Sequence, residues 1–335
     1  MSIRKVGYGL FNPKNLIDAV DNAHPNDQLS IHPDFRRSER LITFSKSLTL
    51  APSEQEKQVV LRDPIEVAPG VELVLQDLVI VGPITLQPEA KLQMQRCRLD
   101  GDGDALVIKA GAIAKFLQVQ GRGVIRVNGA RARRTSLVLR HTQWTGFEGA
   151  GVILDQGELD AEGFELDGAG VSADGGILNI RASTIRAAVN NALRLRGTAQ
   201  AEIHDLTVSD CQDVGVLVQG NGRLEASRCR ISGSVKNSLW VVDKGSVVLK
   251  DCELLGGGQN FPAVCTNLNA RVSLQGGRIM GTRSNGLWIR GESVCEVVHS
   301  AITGTAGAAV ESEDSAEVKL TDCTLVDGEQ VALVA

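Results

Sequence analysis

Two aspartates and two arginines have the types and spacing that chemistry on an acidic sugar polymer would use. Asp155 and Asp174 fall at matching positions of consecutive sequence segments, and Arg194 and Arg196 follow one segment later. Carboxylates about one strand spacing apart can share a proton, hold Ca²⁺ or act as acid and base at a glycosidic bond, while an arginine stabilises charge. The alternative is a solvated column of aspartates in which Arg196 neutralises Asp174.

Other reactive residue types give no catalytic or metal site. The stretch Asp100-Gly-Asp-Gly-Asp104 resembles half of a Ca²⁺ loop, but it lacks the closing glutamate of an EF-hand, and a glycine-rich corner explains it equally well. The histidines lie far apart in sequence, and the 7 cysteines form no Cys-x-x-Cys motif. We therefore predict no cofactor and no metal ion, and we expect the cysteines to be reduced.

Two tryptophans occupy the outward position of a recurring short strand. Trp240 and Trp288 each lie between two aliphatic residues that alternate toward a core. Aligning the segments predicts one outward column with the members Arg194, Leu217, Trp240, Val264, Trp288 and Ala309. Exposed aromatic residues gain free energy when they are covered, so the column predicts an interface or a sugar-stacking platform. The alternative is that a loop or the chain's own tail packs over it.

Charged residues fall into two blocks of opposite sign. Residues 105–147 include no acidic residue, and residues 148–174 include no basic one. The basic block contains Arg126, Arg131, Arg133 and Arg134. In stacked coils such blocks become adjacent belts, which predicts either ion pairs at the seam or an electrostatic docking site.

The elements that position all these residues are short strands in a sequence repeat. From about residue 90 onward the chain divides into segments of mostly about 22–24 residues, each with two or three short strands and a glycine-rich corner. One position of the repeat carries Cys97, Ser183, Leu206, Cys229, Cys252, Gly277, Ser300 and Cys323. A strand this short cannot bury its apolar face alone, so stacked coils must share one core. Small thiols at the shared position are predicted to form a buried ladder.

The N-terminal region carries motifs of a known superfamily. The residues Pro13 to Ala23 predict a short amphipathic helix that covers the first coil, and Pro25-Asn26-Asp27 and Lys46-Ser-Leu-Thr-Leu50 follow it. This opening resembles that of right-handed β-helix proteins of the pectin-lyase-like superfamily, in which glycine is usual where Asn26 stands. The resemblance implies an all-β fold, a right-handed parallel β-helix of about 11–13 coils with a short N-terminal capping helix.

The resemblance implies a fold more than an activity. The superfamily contains lyases, hydrolases, epimerases and non-catalytic scaffolds, and this chain lacks the Asn-Thr-Asp, Asp-Asp, His-Gly and Arg-Ile-Lys strings of polygalacturonase-like enzymes. It also lacks the Asp-Pro-His-Asp of alginate-epimerase-like members. Similar repeats join other domains as recognition or assembly segments. We expect one continuous domain, with the helix and first coils in residues 1–89, regular coils in residues 90–335, and an uncapped C-terminal end.

Composition limits the remaining function classes. The formal net charge of −5 argues against nucleic acid as a partner, and the absence of a long apolar run argues against a membrane span. No signal peptide is visible, so a cytoplasmic location is expected. We predict a non-catalytic scaffold that presents the outward column and charge belts to a protein partner or a second copy. The alternative is a polysaccharide lyase or glycoside hydrolase acting on an acidic polymer.

Overall fold

Short parallel strands make up almost all of the regular structure. The computed structural model describes residues 2–7, 13–36, 38, 40–54, 57–130, 132–256, 258, 260–281, 283–304, 306–327 and 330–334. They group into two compact units: Met1–Phe147 with Gly151–Phe164, and Glu148–Ala150 with Glu165–Ala335. Strands pair with their equivalents one coil away, in about 13 coils, and only one helix is described. The predicted all-β solenoid with a short N-terminal helix is confirmed.

The first unit contains the helix and the earlier strands. The helix is α1 (Leu16–Asn22). The strands are β1 (Ile3–Val6), β2 (Gln28–Ile31), β3 (Ile42–Phe44), β4 (Leu48–Pro52), β5 (Val59–Leu61), β6 (Ile65–Val67), β7 (Glu72–Gln76), β8 (Leu78–Val81), β9 (Ile84–Leu86), β10 (Lys91–Gln95), β11 (Arg98–Ile108), β12 (Ile113–Leu117), β13 (Gln120–Asn128), β14 (Ser136–Arg140), β15 (Gln143–Thr145), β16 (Ala150–Gln156) and β17 (Glu158–Glu162).

The second unit contains the later strands. These are β18 (Glu165–Asp167), β19 (Gly170–Ala173), β20 (Ile177–Arg186), β21 (Leu193–Leu195), β22 (Gln200–Ser209), β23 (Val216–Val218), β24 (Arg223–Ser227), β25 (Arg230–Ser232), β26 (Leu239–Val241), β27 (Ser246–Leu255), β28 (Val264–Thr266), β29 (Arg271–Gly281), β30 (Leu287–Ile289), β31 (Val294–Val298), β32 (Ala301–Gly304), β33 (Val310–Ser312), β34 (Glu317–Thr321), β35 (Cys323–Asp327) and β36 (Gln330–Val334). The last strand pairs antiparallel with β35, whereas regular coils were predicted through residue 335.

The core of each unit is a set of stacked aliphatic columns. In the first unit, Leu92 and Met94 of β10 pair in register with Leu73 and Leu75 of β7, and all four are buried. In the second unit one column contains Leu178, Ala201, Leu224, Val247, Val272 and Cys295. Each inward side chain packs on its equivalents one coil above and below, so the alternating apolar pattern of single strands builds a continuous core.

The N-terminal motif is held together by its own polar groups. Asn15 caps α1, because its side-chain oxygen accepts a hydrogen bond from the backbone N–H of Asp18 at 2.8 Å. At the other end Lys46 donates to the carbonyl oxygens of Asp21 and Ala23. Asn26 has φ of 67°, a left-handed conformation that asparagine tolerates better than other non-glycine residues. This explains how Asn26 can stand where glycine is usual.

Asp27 ties the first strand to this motif, which gives a pH-dependent prediction. The pKa of the buried Asp27 carboxyl is held well below its ordinary value by hydrogen bonds, chiefly from the Ser2 hydroxyl at 2.7 Å and the His24 backbone N–H at 3.0 Å. A depressed folded-state pKa stabilises the protein above the unfolded pKa, and that stability is lost as the pH falls through the folded pKa. Asp27→Asn should therefore lower Tm at neutral pH, and its difference from wild type should shrink in acid.

Thermal unfolding monitored by circular dichroism between pH 7 and pH 2 measures this effect. Asp21→Asn is the matched control, because the exposed Asp21 side chain makes no hydrogen bond to a described residue. A constant difference in Tm between wild type and Asp27→Asn across this range would contradict the role assigned to the carboxylate.

Each coil turns a corner at a residue with positive φ. The corner residues of the second unit are Ala182, Asp205, Arg228, Asp251, Gly276, His299 and Asp322, with φ between 45° and 69°. Each immediately precedes the position of the predicted thiol ladder. Cys229 and Cys252 are buried there on neighbouring coils, and the Cys229 N–H donates to Cys252 Sγ at 3.4 Å. The ladder is confirmed at these positions, although its members at Ser183, Leu206, Gly277 and Ser300 carry no sulfur.

Candidate functional site

One outward column of the second unit has the composition of a binding face. It consists of Arg194, Leu217, Trp240, Cys265, Trp288 and Glu311, which pair in register on successive coils. We call these six residues the outward column. The residues on either side of Trp240 and of Trp288 are fully buried, so both indoles point away from the core.

The sequence prediction was wrong for two positions of the column, Val264 and Ala309. Val264 faces the core and is completely buried, and Cys265 takes the outward position. The coil between Trp240 and Cys265 is two residues longer than its neighbours, and an error of one residue in the alignment reverses the face of the strand. The buried Thr266 hid the apolar pattern that would have shown this. Ala309 is likewise buried, and Glu311 holds the last outward position.

The column is less exposed than its outward direction alone predicts. Leu217 is only 9% exposed, and Trp240, Cys265 and Trp288 are intermediate between buried and exposed. The guanidinium of Arg290 lies 4.5 Å from the centroid of the Trp288 ring, a cation–π distance. The long arginine side chain therefore shields part of the downstream indole from water.

Four nitrogen donors on this face lack an acceptor. Arg194 Nε, Trp240 Nε1, Trp288 Nε1 and Arg290 Nε are buried and make no hydrogen bond to any described residue. Arg290 Nε does lie 3.1 Å from Glu313 Oε2, which is close enough for an ion pair but not aligned for a hydrogen bond. Buried donors without acceptors are uncommon in proteins, and each costs about 1–3 kcal/mol. Among the described residues, every unsatisfied buried nitrogen belongs to this face.

The members of the predicted catalytic group are divided between the two units. Asp174 and Arg196 form an ion pair in the second unit, with Asp174 Oδ1 3.4 Å from Arg196 Nε. Asp155 belongs to the first unit, where it is exposed at a register shift between β13 and β16. Arg194 forms no ion pair with a described residue. Within the described residues no three His, Cys, Asp or Glu side chains are arranged to hold a metal ion, and no described helix has the length and hydropathy to span a membrane.

The basic belt is largely neutralised inside the first unit. Arg126 pairs with Asp104 at 3.0 Å, and Arg133 pairs with Glu89 at 2.9 Å. Arg134 likewise pairs with Glu158 at 2.9 Å. Arg131 lies outside the described residues. Paired arginines of this kind offer little free charge to a partner. Of these three pairs, the Arg134–Glu158 pair joins the basic block to the acidic block as predicted for the seam, whereas Asp104 and Glu89 precede the basic block.

A second concave surface lies near the N-terminus of the first unit. It encloses about 510 Å³ between β1, β2 and the segment after β4, and Lys5, His32, Glu54 and Lys57 contribute charged or titratable groups. His32 Nε2 lies 3.2 Å from Glu54 Oε1, and its Nδ1 accepts a hydrogen bond from the Asp34 N–H. Lys57 forms an ion pair and a hydrogen bond with Glu54, and this contact lowers the pKa of the Glu54 carboxyl. These groups largely satisfy one another, so the outward column is the stronger candidate.

Comparison with known proteins identifies the family. The family model described as "Right handed beta helix region" matches residues 166–335. The chain belongs to the right-handed β-helix family. Among solved structures it is similar to the crystal structure of the periplasmic alginate epimerase AlgG, with a TM-score of 0.53 and 8% identity over 92% of this chain and 82% of that chain. At this identity the likeness concerns the fold alone. No curated protein matches the sequence significantly.

The outward column lies entirely inside the segment that matches the right-handed β-helix family. Its single thiol gives a prediction about accessibility. Cys265 is the one cysteine that is not buried, and partial burial raises its pKa to about 11. We expect a methanethiosulfonate reagent to modify Cys265 first in dilute native protein, and faster as the pH rises toward that value. Intact-mass spectrometry of wild type and Cys265→Ser measures this, and several thiols reacting at equal rates would contradict the placement.

Proposed function

We propose that this β-helix is a non-catalytic interaction module that binds a protein partner through the outward column. The observation that carries the proposal is the alignment of four unsatisfied buried nitrogens with two tryptophans on one outward face. In the isolated chain Arg194 Nε, Trp240 Nε1 and Trp288 Nε1 lose water without gaining an acceptor, and Arg290 Nε has the ion-pair contact with Glu313 but no hydrogen bond. A partner that supplies carbonyl or carboxylate oxygens would satisfy the donors and cover the indoles.

The residue types favour a protein interface. Tryptophan and arginine are enriched among the residues that contribute most to protein–protein binding. The charge belts are not part of the proposed binding face, because Arg126, Arg133 and Arg134 already have acidic partners in their own unit. The ion pair between Asp174 and Arg196 supports the alternative of a solvated aspartate column in which Arg196 neutralises Asp174. We retain the cytoplasm as the proposed location.

Site-specific photocrosslinking in the native host tests the proposal. Benzoylphenylalanine replaces Leu217 in the column or, as a matched control, Val248, an outward residue of β27 outside the column. We expect a discrete crosslinked protein product from position 217, none from position 248, and loss of the product when Trp240→Glu is added. No protein product from position 217, or equal products from both positions, would overturn the proposal.

One observation favours a second candidate, an acidic sugar polymer as the ligand of the same face. Trp240 and Trp288 are two coils apart, or about 9.6 Å, which suits two sugar rings stacked along a chain. Arg194 and Arg290 supply positive charge beside them. Affinity electrophoresis through gels containing polygalacturonate or alginate tests this candidate. Retardation of wild type but not of Trp240→Ala/Trp288→Ala would support this ligand. Equal mobility of wild type and the double variant in both the polygalacturonate and the alginate gel would exclude it.

A further inference from the structure

We propose that the protein partner is a second copy of this chain, docked column to column with its coils running in the opposite direction. This inference rests on the proposed function of the outward column. The column has a direction of charge: it begins at Arg194, passes through Leu217, Trp240, Cys265 and Trp288, and ends at Glu311. A surface that is basic at one end, apolar in the middle and acidic at the other can match itself.

The antiparallel arrangement pairs every member of the column with a complementary one. A two-fold axis parallel to the strands, between Trp240 and Cys265, brings Arg194 of one copy opposite Glu311 of the other. The same operation brings Leu217 opposite Trp288 and Trp240 opposite Cys265. An interface of this kind is isologous, so each contact occurs twice.

The parallel arrangement fails on charge. A two-fold axis along the stacking direction would place Arg194 opposite Arg194 and Glu311 opposite Glu311. Like charges in contact across an interface cost several kcal/mol, so the charge order of the column selects the antiparallel form.

A neighbouring column repeats the same pattern. Two residues beyond each column member lie Arg196, Gln219, Val242, Asn267, Arg290 and Glu313. Their backbone N–H groups donate to carbonyl oxygens of the preceding coil, except that of Arg290, which donates to the hydroxyl of Thr266. The axis that pairs Arg194 with Glu311 also brings Arg196 opposite Glu313 and Arg290 opposite the amide of Gln219. The second copy would thus offer acceptors to Arg194 and Arg290, two of the four donors that lack them.

Arg194 is the best residue for a test, because its guanidinium has no ion pair among the described residues and its Nε is unsatisfied. Light scattering after size exclusion should show a dimer for wild type. Arg194→Glu and Glu311→Arg should each raise the dimer dissociation constant by at least about tenfold, since each creates two like-charge contacts. Arg223→Glu, an exposed charge reversal on β24, should leave it unchanged.

Mixing the two weakened variants gives the sharpest outcome. When Arg194→Glu and Glu311→Arg chains associate, position 194 of the first meets position 311 of the second with opposite charges, and the native pair remains at the other end. We therefore expect a heterodimer at about wild-type affinity. A mixture that stays monomeric would overturn the antiparallel docking, and so would a dimer that neither single variant weakens.

Crosslinking checks the register independently. Cys265 lies next to the proposed axis, so its counterpart in the second copy is displaced by about one coil spacing, roughly 4.8 Å along the stack. A short bis-methanethiosulfonate reagent should join two chains, and Cys265→Ser should abolish the product. A wild type that remains monomeric at high concentration overturns the second-copy inference alone. The proposed function would then be decided by whether benzoylphenylalanine at position 217 crosslinks to a different protein.

Discussion

Replacing Trp144 by alanine should lower the free energy of unfolding by about 3–5 kcal/mol. Trp144 is 2% exposed, its Nε1 donates a hydrogen bond to the carbonyl oxygen of Gly123 at 2.8 Å, and its ring centroid lies 6.3 Å from that of Phe116. The neighbouring coil makes room for it, because a Cβ on Gly121 would lie 2.2 Å from the indole. Alanine would leave a cavity between coils that backbone pairing holds at fixed spacing.

Trp144→Phe separates the contribution of volume from that of the hydrogen bond. Phenylalanine fills part of the site but leaves the Gly123 carbonyl without its donor, so an intermediate loss of stability is expected. Urea unfolding followed by circular dichroism measures both variants. A loss below about 1 kcal/mol for Trp144→Ala would mean that the neighbouring coils collapse into the space, contrary to the rigid stacking inferred for the first unit.

Replacing Gly277 by cysteine should destabilise the second unit by about 3 kcal/mol or more. The sequence alignment treats this residue as equivalent to Cys252 and Cys323, which makes the substitution look harmless. The structure gives Gly277 a φ of +96°, and a Cβ there would lie 2.1 Å from the carbonyl oxygen of Cys252. That oxygen belongs to backbone, so it cannot move aside without disturbing the coil.

Ser300→Cys is the matched control, because it puts the same side chain at the equivalent position one coil later. Ser300 is buried, and its hydroxyl donates to the carbonyl oxygen of Val298 as the Cys252 thiol does to that of Lys250. We expect a change below about 1 kcal/mol. Equal urea midpoints for Gly277→Cys and Ser300→Cys would show that side-chain size, and not backbone conformation, governs this position.

The candidate site shows how far a repeat can be read from its residues. Trp240 and Trp288 are flanked by obvious aliphatic pairs, so their outward direction follows from alternation alone. Cys265 lies in the sequence Val-Cys-Thr, where a buried threonine replaces one aliphatic residue, and the longer coil before it shifts the count. A single misplaced residue was enough to exchange Val264 for Cys265.

The corner of each coil could not have been found from residue types. Left-handed φ usually calls for glycine, yet the described corners carry aspartate, arginine, alanine and histidine as well. The strain is tolerated because backbone pairing with the coils on either side fixes the corner, and charges there pair across coils. For example, Arg228 Nη2 lies 2.7 Å from Asp205 Oδ2. No local signal encodes a conformation that the neighbouring coil imposes.

The sequence by itself determined the architecture, because period and alternation are local and repeat many times, so errors in one segment are corrected by the others. It determined the helix, the short strands, the thiol ladder and the outward tryptophans. Only the tertiary structure decided which acidic partners neutralise the arginines, that Glu311 ends the column opposite in charge to Arg194, and that four donors there lack acceptors. These properties depend on distances between residues a full coil apart, where a shift of one residue changes every partner.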